Sequence, residues 1–188
     1  MENDLRHCLS VLESGGTILY PTDTIWGIGC DATNPSAVEK IFKLKQRTES
    51  KSLIILVDQA DKLTGYVENI PAITRDLMKN IQTPLTIVYP KGKNLAYNVL
   101  AEDHSIAIRV VGPAFFCHEL IRRFGKPIVS TSANISGHEP PFSFRHINPD
   151  IIKGVDYVVD RETEPIHEIK PSRIIRIRPD GEFEILRK

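Results

Sequence analysis

The stretch Lys126-Pro127-Ile128-Val129-Ser130-Thr131-Ser132-Ala133-Asn134-Ile135-Ser136-Gly137 constrains this chain more than any other. It begins as a short apolar strand and passes, without a charge, into residues that are nearly all small and polar. A strand of that kind is expected inside a sheet, where it delivers the hydroxyls and the amide of its turn to the end of the sheet. In open α/β sheets the ligand crevice lies at the carboxyl ends of the strands. Ser130, Thr131, Ser132 and Asn134 can donate and accept hydrogen bonds, and Gly137 lets backbone approach a ligand closely. A plain Ser/Thr/Asn turn reads the same in isolation. What separates the two readings is whether another stretch supplies positive charge.

The whole chain does not supply it. Of 188 residues, 24 are Lys or Arg and 24 are Asp or Glu, so the formal net charge is zero. That gives no global argument for a nucleic-acid or membrane surface, which would have to come from local clustering. Cys8, Cys30 and Cys117 are odd in number, widely spaced and never in a C-x-x-C pair, a pattern that fits a reducing compartment and predicts no structural zinc. The N-terminal stretch is acidic and amphipathic, and no apolar run reaches membrane-spanning length. The expectation is one cytoplasmic α/β domain over residues 1–188, with a mixed sheet and no membrane partner.

Along the chain, Leu5, Cys8, Leu9 and Leu12 recur at helical spacing, and Gly15-Gly16 stops that helix. Residues 17–20 read as a strand. Gly27 and Gly29, set in an apolar segment between Asp/Thr clusters, predict backbone that passes close to something. Asn34-Pro35 opens a helix that runs into Lys43, Lys45, Arg47 and Lys51. Strands are expected over 52–57, 85–89, 106–111 and 156–160, and short helices over 59–82. A loop able to order over a ligand is expected over 94–105, a helix after Gly112-Pro113 ending at Gly125, and a loop over 139–149. Residues 173–186 read as a hairpin turned at Asp180-Gly181. Arg109 lies inside its strand, where a charge needs an anionic partner or a wet cleft.

Several chemistries find no support. No G-x-S-x-G surrounds Ser130 or Ser132, no Walker A or Rossmann fingerprint is present, and Cys117-His118 is expected mid-helix, where adjacent residues point apart. What remains is a cationic constellation: Lys45 and Arg47 at a helix end, Arg109 in a strand, and hydroxyl-rich turns around Thr22 and Ser132. Lys and Arg side by side also occur as an ordinary solvated helix end. Together with uncharged donors they make a site for a polyanion, and transfer at phosphorus depends mostly on positioning and charge neutralisation.

Tyr20-Pro21-Thr22-Asp23-Thr24, Gly27-Ile28-Gly29-Cys30-Asp31-Ala32, Lys45-x-Arg47 and Ser132-x-Asn134, in that order and spacing, resemble the YrdC/Sua5 family of L-threonylcarbamoyladenylate synthases in its short, single-domain form. Pro84-Leu85-Thr86 followed by Pro90, the strand bearing Arg109, and Pro171-Ser172 before the final strands add to the match. The chain departs from the family's usual residues at Trp26, Ser52, Gln82-Thr83 and Arg173. The resemblance implies a twisted mixed sheet with a concave, positively charged cleft. It also implies that L-threonine, bicarbonate or CO2, and ATP are joined into threonylcarbamoyl-AMP with release of pyrophosphate. That product serves threonylcarbamoyladenosine formation at position 37 of ANN-decoding tRNAs, through partner proteins that transfer the group.

By the same resemblance, Lys45 and Arg47 would neutralise the triphosphate, with Mg²⁺ carried mainly by the phosphates and no metal site on the protein. Ser132 and Asn134 would fix the nucleotide and the carbamate, with Arg187 also at the ATP. Thr22, Arg109 and Ser172 would hold threonine, Arg109 through a two-pronged contact to the carboxylate. Two rivals stay open. One is a double-stranded RNA or tRNA-binding module without catalysis, drawing on Lys/Arg at Arg122-Arg123-Lys126 and over 170–178, against which stand the zero net charge and the lack of interleaved aromatics. The other is carbamoyl transfer, as in the larger hydrogenase-maturation carbamoyltransferases, which contain a related domain.

Overall fold

A computed structural model of the chain describes residues 1–47, 53–81, 83–141, 143–160, 171–178 and 180–188. Lys51, Ser52, Gln82, Lys170 and Pro179, which enter the reading above, lie outside the described residues. In chain order the elements are α1 (Glu2–Glu13), β1 (Ile18–Tyr20), β2 (Gly27–Gly29), α2 (Pro35–Leu44), β3 (Ile54–Val57), α3 (Leu63–Tyr66) and α4 (Ile73–Asn80). There follow β4 (Leu85–Tyr89), β5 (Ile106–Val110), α5 (Phe116–Phe124), β6 (Ile128–Ser132), α6 (Pro149–Gly154), β7 (Tyr157–Val158), β8 (Arg173–Ile177) and β9 (Phe183–Arg187).

Among the described residues the strands form one nine-stranded sheet in the order β7-β1-β2-β6-β3-β5-β4-β8-β9. Pairs β1–β7, β3–β5 and β4–β8 are parallel and the other neighbours antiparallel, so the expected mixed α/β sheet is present. Local chemistry sets the element ends. Asn34 Oδ1 accepts from the backbone N–H of Ser36 and Ala37 and starts α2, with Pro35 in its first turn. Gly125, at φ 74°, ends α5, and Gly181, at φ 89°, turns the β8–β9 hairpin.

Register explains the two faces of the sheet. Val129, Ile55, Ile108, Ile87 and Ile175 lie side by side across five strands, none more than 4% exposed. Because side chains alternate, the next row on the other face reads Ser130, Ile54, Ala107, Val88 and Arg176. The row beyond it runs Leu56, Arg109, Thr86, Ile174 and Arg187. One face is therefore a continuous apolar floor, while the other mixes small residues with cations.

Three sequence expectations take a more definite form in the fold. The segment 94–105 is a loop apart from one short 3-10 turn, and it is tied to the fold: Val99 is fully buried, its carbonyl accepts from Leu53 N, and Ala96 N donates to Ala32 O. The glycines of β2 make their close approach within the fold, where a Cβ on Gly29 would lie 2.6 Å from the Tyr20 ring and 2.8 Å from the Val129 carbonyl. Cys117 and His118 fall in the first turn of α5 rather than mid-helix, and His118 Nδ1 lies 3.0 Å from Val111 O.

Candidate active site

The open face of the sheet carries a cavity of about 340 Å³. Its floor is Ser130, Ile54, Ala107, Val88, Ile174 and Arg109, drawn from the two register rows above, and its walls include Thr22, Thr24, Ser132 and Ser172. Arg47, Arg176 and Arg187 also line it. A second cavity of about 300 Å³ adjoins it, sharing Arg47 and Ser132 and reaching Lys45, Asn134 and Gly137. The carboxyl end of β6, Ser130–Ser132, lines the first cavity as the sequence leads one to expect, but that cavity lies over a face of the sheet rather than along one edge of strand ends. The reason is the mixed topology: with β6 antiparallel to β3, and β5 antiparallel to β4, the carboxyl ends do not gather at one edge.

Lys45 and the Ser132-x-Asn134 turn meet, but not as two free hands around a ligand. The Lys45 side chain, only 2% exposed, donates from Nζ to the Ser132 carbonyl, to the Asn134 carbonyl at 2.6 Å and to Asn134 Oδ1 at 3.4 Å. Burial, then the nearby Arg47 charge, push this ammonium down to about 7. The Asn134 amide nitrogen is also spent locally, donating to Ile135 O at 3.1 Å and His138 O at 2.5 Å. Lys45 thus pins the turn and Asn134 ties its far end, while Ser132 borders both cavities. Arg47 lines both cavities, and burial lowers its pKa.

At the other end of the cavity Arg109 has the anionic partner its strand position demands. Asp23 Oδ1 accepts from Nε at 3.1 Å and lies 3.0 Å from Nη2, with both side chains about 95% buried (4% and 5% exposed). That holds the Nε–Nη2 edge of the fork and leaves the Nη1–Nη2 end, where Ser172 Oγ and Thr24 Oγ1 each lie at 3.4 Å. Ser172 also receives Arg187, whose Nε donates to its carbonyl at 2.8 Å and whose Nη2 donates to its hydroxyl at 3.2 Å. Burial, then Arg109, lower the pKa of Arg187. Thr22 is a turn former: its hydroxyl donates to Ile25 O at 2.7 Å and accepts from Thr24 N at 3.1 Å.

All eight residues singled out from the sequence therefore border these two adjoining cavities. Sequence reasoning missed Asp23, which sits in the quoted Pro-Thr-Asp-Thr run and could have been found as the buried partner that Arg109 requires. It read Arg176 only as part of the basic stretch 170–178, whereas the β8 alternation puts it on the cavity face. The cations Arg122, Arg123 and Lys126 do not join the site; they pair with Glu119, Glu2 and Asp31. Among the described residues no cluster of three or more His, Cys, Asp or Glu side chains could hold a metal ion. No helix among them is long and apolar enough to cross a membrane.

Fold and site together define an α/β protein with an arginine-lined cavity on the open face of a mixed sheet. Comparison with known proteins identifies it further: the Sua5/YciO/YrdC family profile, described as "Telomere recombination", matches residues 10–188, and the chain belongs to that family. A threonylcarbamoyl-AMP synthase of Pseudoalteromonas translucida is 34% identical over 166 residues, covering 85% of this chain and 86% of its own. The structure of P. abyssi Sua5 complexed with L-threonine superposes with a TM-score of 0.84 at 28% identity, over 94% of this chain. This chain spans about half (52%) of that longer protein. E. coli YciO, 22% identical, shares the fold with a TM-score of 0.82 over all of this chain and 90% of its own.

Proposed function

We propose that this protein is a threonylcarbamoyl-AMP synthase, a nucleotidyltransferase that makes its product from ATP, L-threonine and bicarbonate or CO2. The observation that carries the reading is the meeting of the Lys45-x-Arg47 and Ser132-x-Asn134 segments with Arg109, Ser172 and Arg187 around adjoining cavities. The relatives named above support it. In the reaction the threonine amine adds to CO2, releasing a proton and giving a carbamate. A carbamate oxygen attacks the α-phosphorus, the bond to the bridging oxygen breaks, and pyrophosphate leaves.

The residues fit these steps through positioning and charge. Arg47, facing both cavities, is placed to neutralise phosphate charge, and Lys45 adds its charge from beneath the turn it pins. Ser132, bordering both cavities, is the hydroxyl best placed for the reacting groups. The Nη1–Nη2 end of Arg109, with Asp23 fixing its other edge, is shaped for the threonine carboxylate, and Thr22 shapes the turn beside it. Mg²⁺ would arrive with the substrate, carried on the phosphates. The product would pass to proteins that transfer the threonylcarbamoyl group to tRNA, in the cytoplasm, where three free thiols stay reduced.

The rival RNA-binding reading loses one of its basic patches to carboxylate partners at Glu2, Asp31 and Glu119. The test is incubation with ATP, threonine and bicarbonate, following pyrophosphate and the adenylate by mass spectrometry. Both are expected, and omission of threonine should abolish them. Arg109→Lys should raise the threonine requirement markedly and leave ATP affinity nearly intact, because a point charge cannot replace a planar fork. Normal threonine dependence in that variant, with tRNA binding that collapses in salt, would overturn the enzyme reading in favour of an RNA module.

A further inference from the structure

The strand residue Thr86 belongs to the sequence element Pro84-Leu85-Thr86, and nothing above gives it a role. It is fully buried and lies directly across β4–β5 from Arg109. Its Oγ1 is 2.8 Å from Ser172 Oγ, the shortest contact that hydroxyl makes. The same Ser172 oxygen lies 3.2 Å from Arg187 Nη2 and 3.4 Å from Arg109 Nη1.

Hydrogen-bond accounting gives this contact a direction when both arginines donate to Ser172. Guanidinium N–H groups can only donate, whereas a serine hydroxyl has one proton and two lone pairs. With both lone pairs turned to arginines, Thr86 Oγ1, at 2.8 Å, is the nearest acceptor for the Ser172 proton. Two cations facing one oxygen also polarise the hydroxyl, which strengthens its donation to Thr86. We propose that Thr86 is a positioning residue: it accepts the Ser172 proton, holds that hydroxyl with its lone pairs toward Arg109 and Arg187, and so sets the guanidinium of Arg109, which receives the substrate carboxylate, at its distance from Arg187. Ser172 in this arrangement organises the arginines while bordering the ligand cavity. The identity of the carboxylate rests on the synthase reading above; the positioning itself does not.

The test compares Thr86→Val, which keeps the β-branched shape and removes the acceptor, with Thr86→Ser, which restores it. Wild-type turnover is measured first, so that failure of the synthase reading shows as no product from the unaltered protein. For the valine variant the expected result is a threonine KM raised about tenfold, with kcat and the KM for ATP within about twofold. The serine variant should return to within about twofold of wild type. Crystal structures of the variants give a readout independent of activity: in Thr86→Val the Ser172 hydroxyl should leave the pair of arginines and their guanidiniums should shift, while in Thr86→Ser all three should stay. Unmoved arginines with an unchanged threonine KM in the valine variant would overturn the proposal. So would equal losses in both variants, since a merely structural role for the strand residue predicts that pattern. If the wild type makes no product, the crystal structures alone decide the positioning.

Discussion

Lys45 shows how one residue can serve the site in a way its charge alone does not reveal. A lysine beside an arginine at a helix end reads as a pair of cations for a polyanion. In the fold one of the two is turned inward, with three oxygens of the 132–134 segment around its ammonium. Those acceptors offset part of the cost of burying the charge below pH 7. The folded pKa, about 7, lies below the ordinary value of 10.5. Between these two values the unfolded chain holds a proton that the folded chain has released, so stability rises with pH across that window, by up to about 1.4 kcal/mol per unit. The burial cost is fully present below the folded value. Denaturant unfolding between pH 7 and pH 9 should show this rise in the wild type and a flatter profile in Lys45→Met. Parallel profiles for the two proteins would mean that Lys45 titrates normally.

At the scale of elements, β2 is the piece whose sequence and packing explain each other most directly. It is three residues long, its outer two are glycines, and it threads between Tyr20 on β1 and Val129 on β6. Gly29→Ala would drive a methyl group into the Tyr20 ring and the Val129 carbonyl, at 2.6 and 2.8 Å. Backbone cannot yield as a flexible side-chain tip can, so a loss of roughly 1–3 kcal/mol is expected from overpacking. Because β2 bridges β1 to β6, the same change should also disturb the Ser130–Ser132 wall of the cavity. Thermal unfolding and threonine affinity measured together check this: both should worsen, and a stable variant with unaltered binding would contradict the close fit. Helix α2, by contrast, owes its start to residues next to one another in sequence, Asn34 and Pro35, and was legible without the fold.

For the molecule as a whole, the sheet predicts a gradient of stability. The central strands β6, β3, β5 and β4 carry the apolar row and have a neighbour on each side, whereas β9 is an edge strand exposed along its length. Hydrogen exchange followed by mass spectrometry should find the amides of β3 and β5 slowest and those of β9 fastest among the strands. Arg187 lies on β9, so one cation of the site stands on the least protected strand. Ligand binding should therefore slow exchange in β9 by a larger factor than in β3, and equal slowing everywhere would speak against that arrangement.

The sequence by itself determined what depends on near neighbours. Apolar runs, caps and glycine turns set the helix from residue 35, the strands at 85 and 106, and the hairpin at Gly181, all where expected. It also determined the residue types that the cavities gather, because a strand arginine and a run of small hydroxyls have few other uses. Only the tertiary structure decided how these residues face one another. Asp23 and Arg109 are 86 positions apart, and Lys45 and Asn134 are 89, distances across which no periodicity in the chain can speak. The position of the cavity was likewise a matter of strand pairing. A mixed sheet scatters its carboxyl ends, while side-chain alternation and register bring Ser130, Ala107 and Arg109 onto one open face. Alternation is written in each strand, but register comes from which strand lies beside it, and that is a property of the assembled core.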